Sequence, residues 1–222
     1  MRGSLSKSSR KNGIPPLSNE SHNAMASHSD KFQEARERHY RRYFGPLTQN
    51  VMHSTDLKRV HVDIYQFEPT AKRPYWTLIT GGMSDEPQPL PTDCPEHISP
   101  RAEIMMYVSK PAGWMFSVLK GLAEMPFDDN TYIHWWHTIP NGMPMTATPS
   151  SLTSYFFLPP YFEAKRFGGL KLGGDAVDFL WMIPITEAER EFAMEHGSQA
   201  LEDKLEEAEM SQVVDESRLS LV

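Results

Sequence analysis

Tyr75-Trp76-Thr77-Leu78-Ile79-Thr80-Gly81-Gly82-Met83-Ser84-Asp85 reads as a strand that runs into a glycine turn and presents a polar tip. The paired glycines mark a turn that needs positive φ. Just upstream, Val60-His61-Val62-Asp63-Ile64-Tyr65-Gln66-Phe67 alternates, with Val60, Val62 and Ile64 on one side, the pattern of a half-buried strand. Pro69 to Pro74 supplies the turn between them, so the two strands are expected to form a hairpin.

Downstream, Pro87, Pro89, Pro91 and Pro95 mark a long surface loop that contains Cys94. Arg101 to Val108 is the next strand. Trp114, Met115, Val118, Leu119, Leu122 and Ala123 then recur at helical spacing, with Pro111 near the start and Pro126 beyond the expected end. After the turn at Asp128-Asp129-Asn130, Tyr132 to Ile139 is read as extended and closes on Pro140-Asn141-Gly142. Ser154 to Leu158 is a strand stopped by Pro159-Pro160, and Gly168-Gly169 and Gly173-Gly174 bracket an edge hairpin. Val177 to Ile185 is nearly all apolar, as a central strand buried on both faces requires.

Helices flank this series. From Asp30, Phe32, Ala35, His39, Tyr40, Tyr43 and Phe44 share one helical face, Asp30 and Gln33 resemble a capping box, and Gly45-Pro46 ends the helix. Its other face carries Arg36, Arg38, Arg41 and Arg42. Thr186 and Glu189 form a second capping box, opening a helix with Phe192 and Met194 that Gly197 interrupts. Ser198 to Met210 continues as an acidic helix with Ala200, Leu201, Leu205 and Ala208 on one stripe, and Val213-Val214-Asp215 is a short final strand. The order predicts a single α+β domain over residues 29–222, a largely antiparallel or mixed sheet with helices packed on it. Residues 1–28 are basic and nearly devoid of apolar side chains, so they are expected to be disordered, and Met25 offers an alternative start to Met1.

The chain has 222 residues and a net charge of -7, a balance that argues against general nucleic-acid binding. Charge is polarised: residues 1–60 carry 11 Lys/Arg against 5 Asp/Glu, whereas residues 187–222 carry 3 against 11. No apolar run approaches the roughly 20 residues of a membrane span, so no membrane partner is expected. With no secretory h-region and the single Cys94, the expected compartment is the cytoplasm.

Catalytic signatures are lacking. No Gly-x-Ser-x-Gly precedes a helix, and neither glycine pair extends into a phosphate-binding loop. His134 and His137, with His61 and Asp63, are the set a metal-dependent hydrolase would use. In a strand, however, positions three apart face opposite ways, so the sequence reading assigns no metal, cofactor or catalytic residue. What remains is surface for a protein partner. Trp135, Trp136 and His137 offer aromatic anchors beside a turn, and Glu202, Glu206 and Glu209 offer acidic ones on the last helix.

In this order the pieces resemble the suppressor of fused domain family. The carriers are Trp76 and the Gly81-Gly82-Met83-Ser84-Asp85 turn, Ala102-Glu103-Ile104, Trp114 through Ala123, Asn130-Thr131, Trp136 through Gly142, Phe156 through Pro159 and Phe179 through Thr186. The likeness spans roughly residues 58–216. It implies a single α+β domain and no catalytic residues. Animal members add a second domain and hold transcription factors by gripping a peptide. The length here is more similar to compact bacterial members, proposed to be immunity proteins that neutralise a toxin by direct binding. That is the expected function, with a peptide-binding regulator as the alternative.

Overall fold

The computed structural model describes residues 19–47, 51–53, 60–145 and 150–222, with side chains from residue 29 onward. A seven-stranded mixed sheet is its centre. The strands are β1 (Asp63–Phe67), β2 (Trp76–Gly81), β3 (Arg101–Val108), β4 (Thr138–Pro140), β5 (Leu152–Leu158), β6 (Lys171–Leu172) and β7 (Asp175–Thr186). Their order is β1-β2-β3-β7-β5-β4, with β6 added to β7 as the predicted edge hairpin. Among the described strand pairs, β3 and β7, at the middle, alone run parallel; the other pairs are antiparallel, including the expected β1–β2 hairpin.

Helix α2 (Gly113–Asp128) covers one face of the sheet through Met115, Leu119, Leu122 and Ala123. The other face is covered by α1 (Asn19–Phe44), α3 (Glu187–His196) and α4 (Ser198–Glu207), which bury Tyr40, Phe44, Ala193, Leu201 and Leu205 against it. Both faces of the central strands are therefore apolar: every residue of β3 is buried, and β7 is buried from Phe179 to Thr186.

The glycine turn is a buried polar knot. Gly82 has φ 119°, while Gly81 ends β2 and is small because the Tyr65 ring lies on it. The Glu103 carboxylate, fully buried on β3, accepts from the Gly82 and Ser84 N–H groups at 3.0 and 3.1 Å and from the Thr80 hydroxyl at 2.6 Å. Arg101 donates to the Ser84 and Asp85 carbonyls, each at 2.8 Å. Arg36 of α1 pairs with Asp85 and lies 3.6 Å from Glu103. A buried carboxylate needs such partners, so the turn residues are chosen by one acid on the neighbouring strand.

The structure departs from the sequence expectations at several points. Arg36, placed on the exposed face, is buried, because Asp85 and Glu103 draw it inward. Asp30 is not an N-cap, since α1 begins at Asn19; of the extension expected to be disordered, residues 1–18 lie outside the described residues. Pro126 lies inside α2, which runs on to Asp128. The strand expected from Tyr132 shrinks to Thr138–Pro140, because Trp136 has φ 64° and the chain turns there. The final strand reduces to one parallel bridge between Val213 and Tyr107. The Thr186–Glu189 capping box is present, with both reciprocal hydrogen bonds.

Candidate functional site

The turn at Trp136 and helix α4 meet at one end of the sheet. Backbone pairing to β5 sets the turn: Trp136 N–H donates to Phe157 O at 2.6 Å and Phe157 N–H to His137 O at 3.2 Å. The left-handed residue between these contacts sends consecutive indoles in opposite directions. Trp135 turns inward, donating to Phe179 O at 2.9 Å, with its ring 4.6 Å from that of His134. Trp136 turns outward, remains 38% exposed and donates to Glu202 Oε2 at 2.6 Å. The Ser198 hydroxyl, in the first turn of α4, donates to Trp136 O at 2.6 Å.

Glu202 has a second aromatic partner, Tyr161, whose hydroxyl donates to Oε1 at 2.7 Å. Burial and the Glu202 carboxylate together push the Tyr161 phenol up, so it stays a donor at any physiological pH. Beyond this clamp lies a groove of about 450 Å³. Leu158 of β5 and Trp181 and Ile183 of β7 line it, as do Tyr161 and Phe162, Leu205 and Met210, and Glu202, Glu206 and Glu209. Tyr161 and Phe162 are 54% and 51% exposed, high values for large rings.

The aromatic wall is rooted in the sheet. Glu163 sits beneath it, accepting from Arg73 at 2.8 Å and from the Tyr107 hydroxyl at 2.9 Å. Burial outweighs both partners and lifts the Glu163 carboxyl above its usual range. Phe162 packs edge-on to Trp181 with ring centres 5.3 Å apart. The wall is therefore held before any ligand arrives, which lowers the ordering cost of binding. Exposed aromatic rings beside carboxylates suit a partner segment that carries both an apolar side chain and a cation.

The structure thus brings together Trp136, Glu202, Glu206 and Glu209, although the last helix, expected to reach Met210, ends at Glu207 and Glu209 follows it in a left-handed turn at φ 48°. Trp135 is spent on the sheet. His137 packs on the Tyr132 ring at 5.0 Å, and burial, with His134 nearby, lowers its pKa and favours the neutral ring. Tyr161, Phe162 and Met210 are site residues the sequence expectation does not include; the signal for the first two is their place directly after Pro159-Pro160, where β5 must stop. Trp76, Gly81, Gly82, Met83, Ser84 and Asp85 lie away from the groove, within or beside the polar knot and the α2-side core.

The four-residue hydrolase set divides. His134 pairs with Asp178 at 3.0 Å. His61 and Asp63 stand at the β1 edge with a residue outside that set, His53. Among the described residues, no group of three metal-ligating side chains includes His134 or His137.

Among the described residues, no helix is long and apolar enough to cross a membrane. Comparison with curated proteins gives no match. Among solved structures, the fold is similar to a SUFU (suppressor of fused protein) homolog from Neisseria gonorrhoeae, at 19% identity and a TM-score of 0.68 over 87% of this chain and 98% of that one. It is also similar to a chain of the Sufu-Fu complex, at 14% identity and a TM-score of 0.60, covering 92% of that chain. Drosophila Suppressor of Fused matches at 14% identity and a TM-score of 0.59, and there the alignment spans about half of the fly chain, 51%. The family model described as Suppressor of fused protein (SUFU) matches residues 58–219. From the Glu103 knot through β7 to the Arg218 segment, the chain belongs to the suppressor of fused family.

Proposed function

We propose that this chain is a non-catalytic, cytoplasmic protein-binding domain that grips a basic partner segment in the groove between α4 and the Tyr161-Phe162 wall. The observation that carries the reading is the clamp on Glu202, which joins an outward indole, a phenol and an acidic helix at the rim of an apolar groove. A relative seen in a Sufu-Fu complex supports binding of protein. The acidic charge of residues 187–222 supports a basic partner. Within that class, the reading is an immunity protein that covers the working surface of a basic toxin.

A peptide-binding regulator that adds a strand to the sheet is the second reading. It finds less support at the edges. β4 is three residues long and ends in Pro140, and the outer side of β1 already holds a bridge to Met52. A short edge with proline offers few ladder groups.

The test is parallel affinity capture from native cells with wild-type protein and with the Trp136→Ala, Glu206→Lys and Glu209→Lys triple variant. The expected result is one stoichiometric basic partner, held by wild type and lost by the variant, whose toxicity on expression is relieved by wild type alone. A partner retained by the variant would place binding elsewhere. A captured partner that is harmless on expression would move the assignment to the regulator.

A further inference from the structure

A second constellation lies at the opposite edge of the sheet. His61 and Asp63 are two residues apart on the chain entering β1. His53 stands across from Asp63, because Met52 and Ile64 exchange two backbone hydrogen bonds of 3.1 Å in an antiparallel bridge. His53 Nδ1 is 3.0 Å from Asp63 Oδ1, and His61 Nε2 is 3.2 Å from the same oxygen. One ligand atom from each of the three lies within 4.8 Å of the others. Asp63 is buried, whereas the two imidazoles are 65% and 57% exposed.

We propose that His53, His61 and Asp63 form a divalent metal site for an ion of the zinc class. Bonds of about 2.0–2.2 Å to imidazole nitrogen and carboxylate oxygen put neighbouring ligand atoms about 3.3 Å apart in a tetrahedron. The two separations to Asp63, 3.0 and 3.2 Å, lie close to that spacing, and the two imidazoles lie within 4.8 Å of each other. Two imidazoles and one carboxylate favour late first-row ions over calcium or magnesium, which take oxygen ligands. Three protein ligands leave a coordination position facing water, as the exposure of both rings requires.

Backbone contacts hold His61 and the Met52-His53 segment next to β1. A Cβ on Gly82 would stand 1.9 Å from the His61 carbonyl oxygen, so the glycine turn and the His61 backbone are in direct contact. The bridge at Met52 fixes the other imidazole-bearing segment. Neither device touches the groove, and strands β2 and β3 separate β1 from β7. The metal proposal therefore stands or falls independently of the partner reading.

The experiment is calorimetric titration of untagged, chelator-treated full-length protein with zinc chloride, repeated with cobalt(II) to read coordination by visible absorption. The expected result is one saturable equivalent, a four-coordinate cobalt spectrum and a rise in melting temperature with zinc. His53→Ala and His61→Ala, both at exposed positions, are each expected to weaken binding at least about tenfold, the floor known for loss of an outer-shell partner. No saturable equivalent, or an affinity that both histidine variants leave unchanged, overturns the proposal.

Discussion

Gly82 shows how one residue carries several constraints at once. Its φ of 119° is a region that L side chains rarely adopt, and a Cβ there would stand 1.9 Å from the His61 carbonyl oxygen. Gly82→Ala should therefore cost about 3 kcal/mol or more, since left-handed strain alone is worth about 1–3 kcal/mol. Gly121 is the internal control. It lies within α2 with open space where a Cβ would go, so Gly121→Ala should stabilise by up to about 1 kcal/mol. Urea denaturation of both variants checks the pair, and equal effects would mean that the turn is not the constraint it looks to be. The paired glycines announced a turn in the sequence, but not which of them bends. Nor could they show that the Ser84 and Gly82 amides are spent on Glu103, about twenty residues later. A carboxylate that is buried by tertiary packing looks in the sequence like any other acid in a strand.

At the level of elements, α3 begins with a signal that was legible and ends in a function that was not. Thr186 and Glu189 cap the helix as their spacing predicts. Glu189 is also fully buried and receives both guanidinium nitrogens of Arg218, at 2.6 and 2.8 Å, and the Leu221 N–H at 3.1 Å. Burial acts against the charge, but Arg218 and these amide donors win and hold the Glu189 carboxyl below its usual range. A depressed carboxyl stabilises the fold fully above the ordinary value, about 4.3 for Glu, and that stability is lost as pH falls through the folded value. Arg218→Ala leaves the acid buried without its ion partner, so a loss of about 3 kcal/mol is expected at pH 7. The variant should also lose less further stability on acidification than wild type, because the linked proton is then bound more readily in the fold. Denaturation midpoints from pH 7 to pH 3 decide this; parallel acid limbs in the two proteins would exclude the pairing as the source. Elements with strong periodicity, such as β2, β3, β7 and the core stripe of α2, could be read directly. The segment before β4 could not, because a single left-handed residue at Trp136 overrides an aromatic run that otherwise suits a strand. That same residue splits Trp135 from Trp136, so only half of the aromatic site was visible from composition.

Across the whole molecule, charge and topology act on the same end. The sheet order places β7 and β5 next to each other, α4 packs over them, and Glu202 and Glu206 of α4 with Glu209 just beyond it supply the acidic rim of the groove. Residues 187–222 hold 11 acidic against 3 basic side chains, a local excess that the chain total of -7 understates. On the proposed reading, such a field would attract a basic partner from a distance, whereas the aromatic wall would act only after contact. The two contributions separate with salt, because the screening length falls from about 30 Å at 0.01 M to about 8 Å at 0.15 M ionic strength. For the partner captured by wild type, the association rate should drop at least about tenfold over that range, within the 10–1,000-fold scope of electrostatic steering. Its dissociation rate should change far less, since Phe162 is held by packing on Trp181 and Tyr161 by its hydrogen bond to Glu202. Glu206→Lys with Glu209→Lys halves the excess of residues 187–222, from -8 to -4, and should weaken the salt dependence of association accordingly, and Trp136→Ala should instead speed dissociation. Stopped-flow association and dissociation at several salt concentrations measure both. An association rate indifferent to salt in the wild-type protein would leave the groove as an aromatic site alone, and the acidic helix as a solvated surface.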